Sequence, residues 1–228
     1  METRPFGETG VSVSKYCLGA MMFGPMGNAD HDECAAMVHT ALDAGINFID
    51  TADAYSRGES EEIVGKALAG RRDDVVLATK AFIPMSDDPN HRGGSRRWLI
   101  RAVEDSLRRL ATDHVDLFQL HRRDTTLDLD ESLSALDQLQ RDGKIRYGGM
   151  SATPAEWIVE ARHISDQRGH LRIRSEQVLY NLVSRGIERD VLPTCTRYGI
   201  GVMTYGPLNG GWLTGKYRRD EPAPDDSR

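Results

Sequence analysis

The run Gly45-Ile46-Asn47-Phe48-Ile49-Asp50-Thr51-Ala52-Asp53-Ala54-Tyr55 holds a turn, a strand and several chemically active side chains. Gly45 closes an amphipathic helical segment. Asn47–Asp50 is short and apolar, as a buried strand is, and it ends on an acid. Upstream, Asp30-His31-Asp32-Glu33 predicts a capping box before Val38, Ala41 and Leu42. Downstream, Ser60 precedes Ile63, Val64, Ala67 and Leu68, and that helical pattern ends at Gly70. A strand between two helices is one turn of a βα repeat.

The same unit recurs at a spacing of roughly 30 residues. Strands are predicted at Tyr16–Ala20, Asn47–Asp50, Val75–Thr79, Val115–Leu120, Ile145–Met150, Ser175–Leu179 and Gly201–Thr204. Between them, Leu99, Val103 and Leu107 repeat at helical spacing, as do Leu133, Leu136 and Leu139. Thr153-Pro154-Ala155-Glu156 combines an N-cap, a first-turn proline and a capping glutamate. Pro193 interrupts the last helical pattern. Residues before Tyr16 form a hairpin turning at Gly7 and Gly10, and Ser86–Gly94 is a long polar loop.

An open doubly wound sheet and a closed barrel both satisfy this alternation. The first requires G-x-G-x-x-G after an early strand. Gly19-Ala20-Met21-Met22-Phe23-Gly24 fails it. A barrel instead gathers its active residues at the C-terminal ends of several strands. Asp50 ends the second strand with Tyr55 just beyond, Lys80 ends the third, and His121 ends the fourth. The prediction is therefore α/β, a (β/α)8 TIM barrel with about seven βα units present.

Composition limits the partners. The chain carries 35 acidic and 29 basic residues, a formal net charge of −6, and no basic stripe that would bind nucleic acid. No stretch approaches the ~20 apolar residues of a membrane span, and Met1–Gly10 lacks the apolar run of a secretory signal, so a cytoplasmic location is expected. Three well-separated cysteines, Cys17, Cys34 and Cys195, suit buried thiols in a reducing compartment. Only His121 among the histidines ends a strand, so no metal is expected. Residues 1–228 read as one domain, with 216–228 a flexible tail.

Four ionisable or proton-bearing side chains converging on one mouth suit proton transfer. A phenol is a reluctant acid at neutral pH, with an ordinary pKa of about 10. An ammonium at about 4 Å, at an effective dielectric of about 20, attracts a phenolate by about 4 kcal/mol. Lys80 would thus make Tyr55 a readier acid, and Asp50 would hold Lys80 charged.

These motifs, with Gln119-Leu120-His121-Arg122, Gly143-Lys144-Ile145-Arg146-Tyr147, Glu176-Gln177-Val178-Leu179-Tyr180-Asn181-Leu182 and Tyr205-Gly206-Pro207-Leu208-Asn209-Gly210-Gly211, resemble the aldo-keto reductase family. The resemblance runs from about Tyr16 to Tyr217, and Gly-Pro-Leu-Asn-Gly-Gly-Trp-Leu-Thr-Gly-Lys-Tyr, ending at Tyr217, points to its bacterial and aflatoxin-aldehyde-reductase-like branch. It implies NADPH-dependent reduction of a small-molecule aldehyde or ketone, a hydride going to carbon and a proton to oxygen, catalysed by Asp50, Tyr55, Lys80 and His121, with Tyr55 the proton donor and His121 orienting the substrate oxygen. It also implies a cofactor site. Met21 and Asp50 would flank the nicotinamide, Ser151 and Gln177 would bond its carboxamide, and Tyr205 would stack on it. Gly206, Pro207, Leu208, Asn209 and Gly210 would wrap the pyrophosphate with Lys216.

Two departures stand out: Ala152 replaces the family's usual Asn, and Gly206 a common Ser or Asn. The family's eighth strand and last helices have no counterpart here, so a C-terminally truncated barrel is expected. Its unpaired edges would favour homo-oligomers. Two alternatives remain at this stage. One is a non-catalytic, cofactor-binding regulatory subunit, and the other is an aldolase using Lys80 as a Schiff-base amine.

Overall fold

The computed structural model describes residues 1–224; positions 225–228 of the expected tail lie outside the described residues. A hairpin of β1 (Thr3–Pro5) and β2 (Ser12–Ser14) opens the chain. Seven parallel strands follow: β3 (Leu18–Gly19), β4 (Phe48–Asp50), β5 (Val76–Ala81), β6 (Val115–Leu120), β7 (Ile145–Ser151), β8 (Ser175–Leu179) and β9 (Gly201–Tyr205). They pair strictly in chain order from β3 to β9. Helices α1 (His31–Asp43), α2 (Glu59–Ala67), α3 (Arg96–Leu110), α4 (Leu129–Arg141), α5 (Ala155–Arg168) and α6 (Val191–Tyr198) connect them. The seven predicted strands are all present.

Because β3 and β9 do not pair, the sheet is an incomplete (β/α)8 barrel. It is nevertheless curled, since the Gln177 side chain on β8 reaches Asp50 on β4 at 3.0 Å. Period-two alternation sends one residue in two into the lumen. Its lower layer is apolar: Phe48, Ala78, Leu117 and Met203 pack with Phe6 and Val13 of the hairpin, which plugs that end. The outward faces of the strands meet the helices in a larger core that includes Ile49, Leu77, Phe118, Leu99, Val103 and Leu136. One layer above the apolar lumen, the same alternation brings in Asp50, Lys80, Gln119 and Gln177.

Several local expectations change. Asp30 caps α1 by accepting from the amides of Asp32 and Glu33, but Glu33 accepts from Asn28 instead of completing a capping box. Helix α2 begins after Gly58, and Ser60 lies buried within it, donating to the Ala20 carbonyl at 2.7 Å. The N-cap of α5 is Pro154, with no side-chain cap, because the Thr153 amide turns inward to Glu176. Pro193 sits in the first turn of α6, where its missing N–H costs nothing. Cys34 and Cys195 are buried thiols, whereas Cys17 is exposed because it precedes the edge strand β3. The polar loop before α3 is observed as irregular chain. Beyond Gly215 the described residues have no regular structure, and Tyr217 stacks on Trp212 at 4.9 Å.

Candidate active site

Strand β5 delivers Lys80 into the upper lumen, fully buried. Its ammonium donates to Asp50 Oδ2 at 2.7 Å, to the Thr51 carbonyl at 2.7 Å and to the Tyr55 hydroxyl at 3.2 Å. All three protons are thereby used. Asp50, at the end of β4, also accepts from Gln177 Nε2 at 3.0 Å and Gln119 Nε2 at 3.3 Å. Side chains from three other strands, β5, β6 and β8, therefore hold one carboxylate in place.

Tyr55 stands on a short 3-10 turn, Tyr55–Gly58, in which Ser56, Arg57 and Gly58 have φ of 48°, 56° and 98°. Left-handed backbone at two non-glycine residues is costly. Ser56 offsets part of that cost by donating to the Phe23 carbonyl at 2.8 Å. His121 follows β6 and meets the Tyr55 ring edge-on, with centroids 5.7 Å apart. Asp50, Tyr55, Lys80 and His121 are thus brought together at one mouth.

Burial opposes the Lys80 charge, but Asp50 and Tyr55 favour it and prevail, holding the ammonium above the ordinary lysine pKa. The imidazole of His121 goes the other way. Burial first, then the charges of Lys80 and Arg122, push it down to about 3, so it is neutral. Its Nδ1 has no hydrogen-bond partner among the described residues. Asp53, buried beside Glu61, is pushed up to about 8, chiefly by burial. Glu61 itself is held by Thr79 at 2.5 Å and Arg109 at 2.7 Å.

The residues expected to hold a dinucleotide share the same end of the sheet. Ser151 and Gln177 are register partners on β7 and β8, and Tyr205 ends β9 opposite Leu179. Met21 follows β3. Ala152 lies at φ 54°, a conformation that Asn or Gly tolerates better. Beyond Tyr205, Gly206, Asn209, Gly210 and Gly211 all have positive φ, and a Cβ at Gly210 would touch nothing. The amides of Asn209 and Gly211 turn back onto the Gly206 and Leu208 carbonyls at 2.9 Å, so the loop is tightly wound. Lys216 folds over it toward Gly211 and makes no ion pair among the described residues. These groups fit a pyrophosphate-containing cofactor.

Sequence reasoning assigned no role to Gln119, Thr51 or Asn181. Gln119 lies two residues before His121 and so shares its face, a signal that alternation carries. Asn181 donates to the Gly206 carbonyl at 2.9 Å and fastens the 206–211 loop. Thr51 acts through its main chain, which side-chain chemistry cannot flag. Among the described residues, no group of three His, Cys, Asp or Glu is arranged to hold a metal ion, and no helix is long and apolar enough to cross a membrane.

The model of the Aldo/keto reductase family matches residues 15–228. The chain is 40% identical to the uncharacterized oxidoreductase YrpG of Bacillus subtilis, covering 95% of this chain and 69% of that protein. It is 37% identical to the aldo-keto reductase YhdN of the same organism, over 95% of this chain and 65% of YhdN. A probable voltage-gated potassium channel subunit beta of Oryza sativa is also 37% identical, over 100% of this chain and 70% of that subunit. The chain spans about two thirds of the length of these relatives.

Proposed function

The chain belongs to the aldo/keto reductase family, and from that premise we propose that it is an oxidoreductase that reduces an aldehyde or ketone with NADPH, Tyr55 giving the proton. The observation that carries this reading is the Lys80 ammonium, bonded at once to Asp50 and to the Tyr55 hydroxyl. A positive charge 3.2 Å from the phenol oxygen stabilises the negative charge left there when the proton departs. Asp50 and the Thr51 carbonyl keep that charge fixed. His121, neutral, has a ring nitrogen free to orient a carbonyl oxygen beside Tyr55. Ser151 and Gln177 would grip the nicotinamide carboxamide and Tyr205 its ring, while the 206–211 loop and Lys216 would hold the pyrophosphate. The dinucleotide, when bound, supplies the hydride. General acid catalysis of this kind is worth about 10²–10⁴-fold.

A Schiff-base aldolase is disfavoured, because Lys80 is protonated and fully engaged. The complete quartet of proton-handling groups favours catalysis over a purely regulatory cofactor sensor. The test is NADPH-dependent reduction of an aromatic aldehyde by the wild type and Lys80→Met. The variant should lose about 10²-fold or more in rate, the lower range of general acid catalysis. A rate within a factor of about three of wild type would remove Lys80 from the mechanism.

A further inference from the structure

We propose that Glu176, a buried acid that the chemistry above does not use, is a positioning residue that clamps the turn carrying Ser151 into the nicotinamide site. This rests on the proposed cofactor reading. Glu176 lies on β8 next to Gln177 and is fully buried. Its Oε1 accepts from the Thr153 amide at 2.7 Å. That amide follows Ala152, whose φ of 54° lets the chain leave β7 sharply after Ser151, and whose own N–H donates to the Gln177 carbonyl at 2.8 Å. Two hydrogen bonds from adjacent β8 residues therefore hold the strained turn, one from the main chain and one from Glu176.

The other oxygen, Oε2, has no partner among the described residues. The titratable group facing it is the thiol of Cys195 on α6, and no cation pairs with it from β7, α5, α6 or β9 among the described residues. A charge there would be uncompensated, so the clamp works with its proton on. Burial, resisted by the amide and hydroxyl of Thr153, raises this carboxyl to about 8. On ionising, the carboxylate gains from the Thr153 amide but loses more to desolvation, so opening of the turn to water becomes less costly. The folded pKa lies above the unfolded one, so the associated stability is full below the unfolded value and is lost as pH rises toward about 8.

The test compares wild type with Glu176→Gln, which keeps a neutral acceptor for Thr153, at about pH 6.5 and about pH 9. Between the two, wild-type affinity for NADPH should fall about tenfold more than that of Glu176→Gln, the equivalent of losing one hydrogen bond. Equal pH profiles in the two proteins would overturn the proposal. Hydrogen exchange at the Thr153 amide, read without cofactor, separates this outcome from failure of the cofactor reading. Protection that drops with pH in wild type alone supports the clamp even if neither protein binds NADPH; protection with the same pH dependence in both overturns it.

Discussion

At the mouth, burial and neighbouring charges set the protonation states of Lys80 and His121, and His121 gives the sharpest consequence. Its folded pKa of about 3 lies below its ordinary value, so the unfolded chain takes up a proton first as pH falls. The stability tied to neutral His121 is present above about pH 6.5 and is lost as pH drops toward about 3. The melting temperature of His121→Gln should therefore decline less than that of wild type between about pH 7 and about pH 4.5. Parallel declines would show that the imidazole is already charged in the folded state. Asp50, Tyr55, Lys80 and His121 were legible in the sequence because each follows an apolar strand run. Asp53 and Glu61 were not, since their importance lies in which buried charges they face across α2 and α3.

At the scale of elements, α2 and α3 decide how firmly the Tyr55 turn is backed. They cross closely at Gly65, where an added Cβ would stand 2.6 Å from the Leu110 carbonyl oxygen and 2.8 Å from that of Arg109. Both obstacles are backbone, so neither can rotate away. Gly65→Ala gains up to about 1 kcal/mol in helix propensity. It loses about 1–3 kcal/mol to overpacking. A net destabilisation of about 1 kcal/mol is expected in urea unfolding, the packing term exceeding the propensity term; an unchanged or raised midpoint would mean that the helices separate freely. Strand positions and helix cores were readable because periodicity depends on the local sequence alone. The cap of α5 was misread because Thr153 is claimed by a distant partner, Glu176, that no local pattern announces.

Across the whole molecule, the sheet ends in two unpaired edges, β3 and β9, and Thr204 and Tyr205 of β9 are exposed. Unpaired edges template further pairing. Sedimentation velocity should show association that grows with concentration and is suppressed by Thr204→Lys; a concentration-independent monomer would show that the edges are protected. Lys216 is the one cation among the residues assigned to the dinucleotide, so weak binding with little discrimination between NADPH and NADH is expected, as calorimetry would show. Tight binding with strong preference for NADPH would mean that further phosphate contacts exist. The barrel class was legible because strand-end chemistry and a failed glycine fingerprint excluded the open sheet. The curl, by contrast, is a tertiary fact, visible in contacts such as that from Gln177 to Asp50. The central claim is that Tyr55 protonates a carbonyl that receives its hydride from NADPH. It is tested most directly by mass-spectrometric detection of alcohol formed from an aromatic aldehyde by wild type and Tyr55→Phe, with NADPH affinity measured in parallel. Alcohol that requires NADPH and falls about 10²-fold or more in Tyr55→Phe at unchanged cofactor affinity is the predicted result. Retention of more than about a tenth of the wild-type rate would contradict it.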